Sequence, residues 1–233
     1  MNPCVVPTIP FDNDKEWKLQ HKRYVAEAKA QNPDVILIGA SIIQLIQCYP
    51  IWNDKFVPLN SLNFGICGDR TQDVLWRVQN GILDHIKPKV CILNVGSNNV
   101  DNTPIQISEG ILAIVGEIQS KLPDCYIIII GILPRGPYMN PLRILGTQVN
   151  EIIGEKVKSI RKVELFNPHL LQPDGTLSPE DAMDYLHPTE IGYRKIFNPI
   201  FERLKKILKK YWRLETIVHP HKDGLTQKLK VSM

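Results

Sequence analysis

The sequence predicts a three-layer α/β/α sandwich around a five-stranded parallel sheet. Short apolar segments rich in Val and Ile alternate along the chain with longer segments of helical spacing. That alternation is typical of parallel strands joined by right-handed helical crossovers. A length of 233 residues and a hydrophobic content of 43% suit one domain with a full core. We find no internal repeat and no domain linker.

The first strand is predicted at Val35–Ile38, because four consecutive apolar residues, three of them β-branched, indicate a strand buried on both faces. The helices are predicted where apolar residues recur every three or four positions, as at Ile107, Ile111 and Ile114. The further strands are expected at 59–64, 89–96, 126–130 and 163–166, and the helices at 14–31, 42–47, 71–85, 105–122, 142–159 and 189–212.

The remaining segments complete the predicted organisation. Residues 1–13 carry three prolines and are expected to form an N-terminal arm, residues 14–213 the globular domain, and residues 214–233 a flexible basic tail. Much of the net charge of +4 lies near the C-terminus, which does not suggest a nucleic-acid binder. The N-terminus lacks a signal-peptide pattern, and no apolar run approaches the length of a transmembrane helix.

Five scattered cysteines without a C-x-x-C pair favour reduced thiols in a cytoplasmic protein. No metal or other cofactor is expected. The basic stretch of the last helix, with Lys205, Lys206, Lys209 and Lys210, is interpreted as a solvated face, and an anionic membrane or acidic partner is the alternative.

Residues suited to ester chemistry follow three of the predicted strands and one late loop. Ser41 follows the first strand, Gly68 the second and Asn98 the third, while Asp184 and His187 lie before the last helix. Acyl transfer needs a nucleophile, a base, an acid that orients the base, and donors for an oxyanion. Because the carboxyl ends of parallel strands meet at one edge, we expect these five residues to form one site.

Each residue also has a structural interpretation. Ser41 could cap a helix, Gly68 and Asn98 could belong to turns, and Asp184 with His187 could be a surface pair. The combination favours the functional interpretation. An α/β-hydrolase elbow is excluded because Ile43 stands where its second glycine belongs. A phosphoacceptor domain fits poorly, because acidic residues do not cluster after the first strand.

The chain resembles the SGNH, or GDSL, hydrolases, whose fold is a flavodoxin-like α/β/α sandwich, and within them the catalytic (alpha) subunits of intracellular type IB platelet-activating-factor acetylhydrolase. The resemblance runs from Trp17 to Trp212. It is carried by the segments PDVILIGASIIQLIQ, LNFGICGDRTQDVLWRVQNGIL, IKPKVCILNVGSNN, GILPRG with MNPLR, and DYLHPTEIGY.

The resemblance implies a serine esterase that removes the acetyl group of an ether phospholipid without a metal. It places the nucleophile at Ser41, the base at His187 and the orienting acid at Asp184. It assigns the oxyanion hole to Gly68, Asn98 and the Ser41 N–H. It also implies a tight acyl pocket, for which we expect Ser97 and Leu186 as walls.

The family resemblance further implies a homodimer, or a heterodimer with a related catalytic subunit, and a WD-repeat regulator of dynein as a binding partner.

Two positions depart from the family pattern. Ala40 replaces the Asp of Gly-Asp-Ser, and Cys67 replaces a glycine in a Gly-Ile-Gly-Gly-Asp run. We expect Cys67 to crowd its turn and narrow the pocket. The alternative function is therefore a catalytically weak or silent subunit that serves in dimerisation and regulator binding.

Overall fold

The computed structural model describes residues 1–10 and 14–218. The strands are β1 (Val35–Gly39), β2 (Ser61–Gly65), β3 (Val90–Asn94), β4 (Tyr126–Ile130) and β5 (Val163–Phe166). The helices are α1 (Asp14–Ala30), α2 (Ser41–Leu45), α3 (Thr71–Gln79), α4 (Pro104–Lys121), α5 (Pro141–Val157) and α6 (Glu190–Val218). All strand pairs are parallel, in the order β2-β1-β3-β4-β5. The predicted fold class is confirmed.

Side chains of β1 alternate between two cores, because successive residues of a strand point to opposite faces of the sheet. Ile36 and Ile38 pack into the core with α1, α3, α4 and α5. Val35 and Leu37 pack into the other core with α2 and α6. All four side chains are fully buried, and each contributes roughly 1.5–3 kcal/mol to folding. Burial on both faces explains why β1 has no polar residue.

The helix predicted at 71–85 is shorter than expected. Helix α3 ends at Gln79, and Gly81 then takes a positive φ of 109°. A left-handed glycine is a common helix end, because glycine adopts that conformation without steric cost. Leu83, the apolar residue that extended the prediction, is buried in the following turn. The buried positions of this turn continue the apolar spacing of α3, so the sequence pattern extends beyond the end of the helix.

The two ends of the chain add detail to the predicted organisation. The N-terminal arm includes a short 3-10 helix, Pro3–Val5, whose Cys4 is buried against α3 and α4. Helix α6 continues to Val218, past the predicted start of the tail at Leu214, and residues 219–233 lie outside the described part of the chain. Of the described helices, none is long and apolar enough to cross a membrane.

A buried ion pair joins the ends of the first two strands. Arg77 of α3 lies 2.6 Å from Asp69 and is fully buried with it. The same guanidinium donates to the carbonyl of Phe64 in β2 at 2.7 Å and to that of Gly39 in β1 at 3.1 Å. Trp17 donates its indole N–H to the other oxygen of Asp69 at 2.6 Å. This cluster therefore fixes the carboxyl ends of both strands relative to each other.

We predict that Arg77→Met lowers the free energy of unfolding by about 3–5 kcal/mol, because it leaves the Asp69 carboxylate buried without its cation. Urea denaturation would measure the change. Arg194→Met is the matched control, since Arg194 forms partly exposed ion pairs with Asp54, at 3.2 Å, and with Glu190. Loss of each pair should cost about 1 kcal/mol or less. Equal effects of the two substitutions would contradict the importance of the buried pair.

Candidate active site

The turn after β1 places Ser41 at the start of α2. A Cβ at Gly39 would lie 2.0 Å from the carbonyl oxygen of Asn94, so only glycine allows β1 and β3 to approach here. Ala40 is the N-cap of α2, and Ser41 is the first helical residue. The Ser41 hydroxyl is therefore not the helix cap. It lies instead 3.0 Å from Nε2 of His187.

The loop before α6 holds the two partners of Ser41. Nδ1 of His187 lies 2.6 Å from Oδ2 of Asp184. Oδ1 of Asp184 accepts the backbone N–H groups of Leu186 at 3.0 Å and of His187 at 2.7 Å. The carboxylate thus fixes both the ring and the backbone of the histidine. The structure brings Ser41, His187 and Asp184 into one hydrogen-bonded chain, as the sequence predicts.

The charge state of Asp184 suits this position. Partial burial raises the pKa of its carboxyl, but the hydrogen bonds from the His187 ring and the two backbone N–H groups lower it. The net pKa lies below the ordinary value. Asp184 is therefore ionised at neutral pH, and its negative charge favours the imidazole tautomer that carries the proton on Nδ1. Nε2 is then free to accept the Ser41 proton.

Backbone contacts shape the loop that carries these residues. Ala182 and Pro188 form an antiparallel bridge that closes its base. Tyr185 has a positive φ of 58°, which turns the chain between Asp184 and His187. The carbonyl of Tyr185 accepts the N–H of Gly136 at 2.8 Å, which joins this loop to the one after β4. The position of His187 thus depends on two separate loops.

Three donors surround the same edge of the sheet. Gly68 has a φ of 83°, and a Cβ there would meet no atom within 4 Å, so a ligand can approach its N–H. Asn98 donates one amide hydrogen to the carbonyl of Asp69 at 2.9 Å, and the second amide hydrogen is left for a ligand. Within the described residues, the N–H groups of Ser41 and Gly68 have no acceptor. These groups suit an oxyanion.

The two departures from the family pattern take different forms. Ala40 is buried, and its N–H donates to the Asn94 carbonyl at 3.3 Å. Cys67 is exposed, and its N–H donates to Oε1 of Gln44 at 2.7 Å. The expectation that the Cys67 side chain crowds its turn and narrows the pocket stays a prediction. All five cysteines are free thiols.

The predicted pocket walls lie beside the site. Ser97 and Leu186 are half-buried, and each is the chain neighbour of a site residue, Asn98 or His187. Their role as walls of an acyl pocket stays a prediction. Two cavities, of about 380 and 470 Å³, lie elsewhere, the first beside α5 and β5 and the second between the start of β4 and α6.

Sequence reasoning missed the residues that support the site. Arg77 is one of them: it lies three positions after the buried Val74, and a charged residue at that spacing on a helix is a signal of a buried ion pair. Arg143 was also missed. It is buried and donates to the carbonyls of Gly136 and Gly175, which holds together the loops after β4 and β5. Its place among the apolar residues of α5 was the available signal.

The sequence of this chain is similar to a known protein family and to several of its members. Residues 48–195 match the GDSL-like lipase/acylhydrolase family, a range that begins after Ser41. The chain is 42% identical over 211 residues to the human platelet-activating factor acetylhydrolase IB subunit alpha2, covering 89% of this chain and 92% of that protein. It is 41% identical over 212 residues to a Drosophila melanogaster IB subunit beta homolog, covering 89% and 94%.

Solved structures share the fold. A Streptococcus pneumonia structure named for platelet activating factor superposes with a TM-score of 0.67 at 23% identity, covering 84% of this chain and 92% of that one. A carbohydrate esterase family 3 structure from Talaromyces cellulolyticus gives 0.58 at 15% identity, covering 76% and 99%. At these identities the likeness concerns the fold alone.

We predict that alkylation of Cys67 by iodoacetamide lowers ester hydrolysis, because an adduct one residue before Gly68 would obstruct the oxyanion donors. Burial and the nearby Asp69 raise the pKa of the Cys67 thiol. The thiolate is the reactive form, so the rate of inactivation should rise as the pH increases beyond about 9.

The rate of hydrolysis of p-nitrophenyl acetate would be followed during alkylation. Cys67→Gly is the matched control and should resist inactivation, while Cys48→Ser controls for the other exposed thiol. Inactivation that persists in Cys67→Gly would contradict the prediction.

Proposed function

Since this chain belongs to the GDSL-like lipase/acylhydrolase family, we propose that it is a serine esterase that removes a short acyl group from a lipid ester. The observation that carries the proposal is the hydrogen-bonded chain from Ser41 through His187 to Asp184, with distances of 3.0 and 2.6 Å. A hydroxyl, an imidazole and a carboxylate in this order are the parts of a serine-hydrolase triad.

In the proposed reaction, His187 takes the Ser41 proton as Oγ attacks the ester carbonyl carbon. The resulting oxyanion accepts hydrogen bonds from the N–H groups of Ser41 and Gly68 and from the Asn98 amide. Collapse of this intermediate breaks the ester bond, and His187 gives its proton to the departing alcohol. A water molecule then attacks the acyl-serine with His187 again as base, which releases the acid and restores Ser41.

The substrate class is proposed from the relatives and from the loops beside the triad. Relatives 39–42% identical are named as platelet-activating factor acetylhydrolase IB subunits. We propose the acetyl ester of an ether phospholipid as the substrate, with Ser97 and Leu186 limiting the acyl length. We also propose that the chain acts in the cytoplasm as a homodimer or as a heterodimer with a related subunit.

A second candidate function is a weakly active or silent subunit that dimerises and binds a WD-repeat regulator of dynein. The observation that favours it is Ala40, which removes the carboxylate of the family's Gly-Asp-Ser block directly beside the nucleophile. The hydrogen bonds of Ser41, His187 and Asp184 favour the esterase, because a silent subunit has no need of an aligned base.

We predict that a fluorophosphonate probe labels Ser41 and that Ser41→Ala abolishes both labelling and hydrolysis of p-nitrophenyl acetate. Loss of an activated serine typically costs on the order of 10⁶ in kcat. Ser108→Ala is the matched control, because Ser108 is a buried serine of α4 whose hydroxyl donates to the Pro104 carbonyl. Labelling that persists in Ser41→Ala would place the nucleophile elsewhere, and an unlabelled parent protein would favour the silent subunit.

We expect acetyl esters to be hydrolysed faster than butyryl esters, and long-chain esters hardly at all. Extra methylenes that the pocket excludes are worth roughly 1–3 kcal/mol each in discrimination. Values of kcat/KM for a series of p-nitrophenyl esters would test this, and Leu186→Ala should shift the preference towards longer chains. A parent protein that prefers octanoyl esters would rule out the short pocket.

A further inference from the structure

Arg135 lies in the loop after β4, between the two loops that carry the candidate site. Its guanidinium donates through Nη1 to the carbonyl of Ser97 at 3.3 Å, directly beside Asn98. Its chain neighbour Gly136 donates its N–H to the carbonyl of Tyr185, two residues before His187. Asn140 donates to the Arg135 carbonyl at 2.7 Å and fixes the backbone there. A half-buried cation therefore stands next to the proposed oxyanion hole.

The charge of Arg135 is not neutralised within the described part of the chain, where it has no carboxylate partner. Most of the other described arginines have one: Arg23, Arg70, Arg77, Arg194 and Arg203. The nearby Arg143 adds to the positive charge, since its partners are the carbonyls of Gly136 and Gly175 and its buried Nε has none. The only carboxylate of the triad, Asp184, is already held by His187 and Leu186.

The free donors of Arg135 suit an oxyanion ligand. A guanidinium carries five N–H groups in a planar fork, and the Ser97 carbonyl takes one, so four are left for a ligand. That fork matches two oxygens of a phosphate group and forms short charge-assisted hydrogen bonds with them. In a glycerophospholipid, the phosphodiester and the middle ester lie on neighbouring carbons of one glycerol, so both groups could contact this edge of the sheet together.

We propose that Arg135 binds the phosphodiester group of the lipid substrate while the ester carbonyl lies at Ser41. The proposal rests on the proposed esterase function and narrows its substrate to esters with a neighbouring anionic group. The competing interpretation is that Arg135 only braces the Ser97 carbonyl. A brace would affect all esters alike, whereas an anion site affects only those that carry the phosphodiester.

The test compares two acetyl esters of the same short-chain alkylglycerol, one with a phosphocholine group and one with a free hydroxyl in its place. The measured quantity is the ratio of their kcat/KM values. In Arg135→Gln this ratio should fall roughly tenfold to a hundredfold, the effect of losing hydrogen bonds to a charged group. Arg135→Lys keeps the positive charge but lacks the planar guanidinium fork, so its ratio should lie between that of the parent protein and that of Arg135→Gln.

Arg161→Gln is the matched control, because Arg161 is exposed before β5, at the opposite edge of the sheet, and also has no carboxylate partner in the described part of the chain. Its ratio should equal that of the parent protein. If Arg135→Gln does not fold, the parent protein supplies a second test. Its ratio should fall as the salt concentration rises, because salt screens the attraction between Arg135 and the phosphodiester.

Two results would overturn the anion site. The first is an unchanged ratio in folded Arg135→Gln, which includes equal losses of activity on both esters. The second is a ratio in the parent protein that does not depend on the salt concentration. Each of these results leaves the esterase intact, since the parent protein still cleaves the neutral ester. A parent protein that cleaves neither ester would overturn the proposed function and the anion site with it.

Discussion

The candidate site depends on the buried pair of Arg77 and Asp69. Burial raises the pKa of the Asp69 carboxyl, while Arg77 and Trp17 act in the opposite direction and supply the hydrogen bonds that its charged form needs. A buried ion pair adds little net stability to the fold, although breaking it is costly. Its main effect here is on geometry, because it fixes the strand ends beside the site. Through Gly39 the pair fixes the strand end before Ser41, and through its own carbonyl Asp69 holds the Asn98 amide.

The other half of the site has a different basis. His187 and Asp184 lie on a loop whose shape depends on hydrogen bonds with neighbouring loops, and the buried Arg143 holds two of these loops by their carbonyls. The nucleophile and the oxyanion donors are thus set by packed strand ends, whereas the base is set by connections between loops. Substitutions far from Ser41, in the loops after β4 and β5, would be expected to move the base without moving the nucleophile.

The sheet could be predicted because both of its faces are buried, so apolar runs such as Val35–Ile38 have no other reason to exist. The meeting of Ser41, Asp184 and His187 at one edge could be predicted because the carboxyl ends of parallel strands, and the loops that follow them, lie together at that edge. The end of α3 could not, since burial of Leu83 extended the apolar spacing beyond Gln79. Nor could the partner of Arg77, because the pairing of Arg77 with Asp69 is not encoded in local apolar spacing.

The glycines of the first two strand ends differ from Ala40 and Cys67 in one physical respect, which is space. A side chain at Gly39 would meet Asn94 at 2.0 Å, and one at Gly65 would meet the backbone of Gln44 at 2.3 Å. The aspartate of the Gly-Asp-Ser block is replaced in this chain by Ala40, whereas Gly39 and Gly65 are both present. A search for distant relatives would therefore gain by weighting each position according to the room around its Cβ. An acidic residue such as this aspartate can be replaced during evolution, whereas a glycine without room for a Cβ cannot.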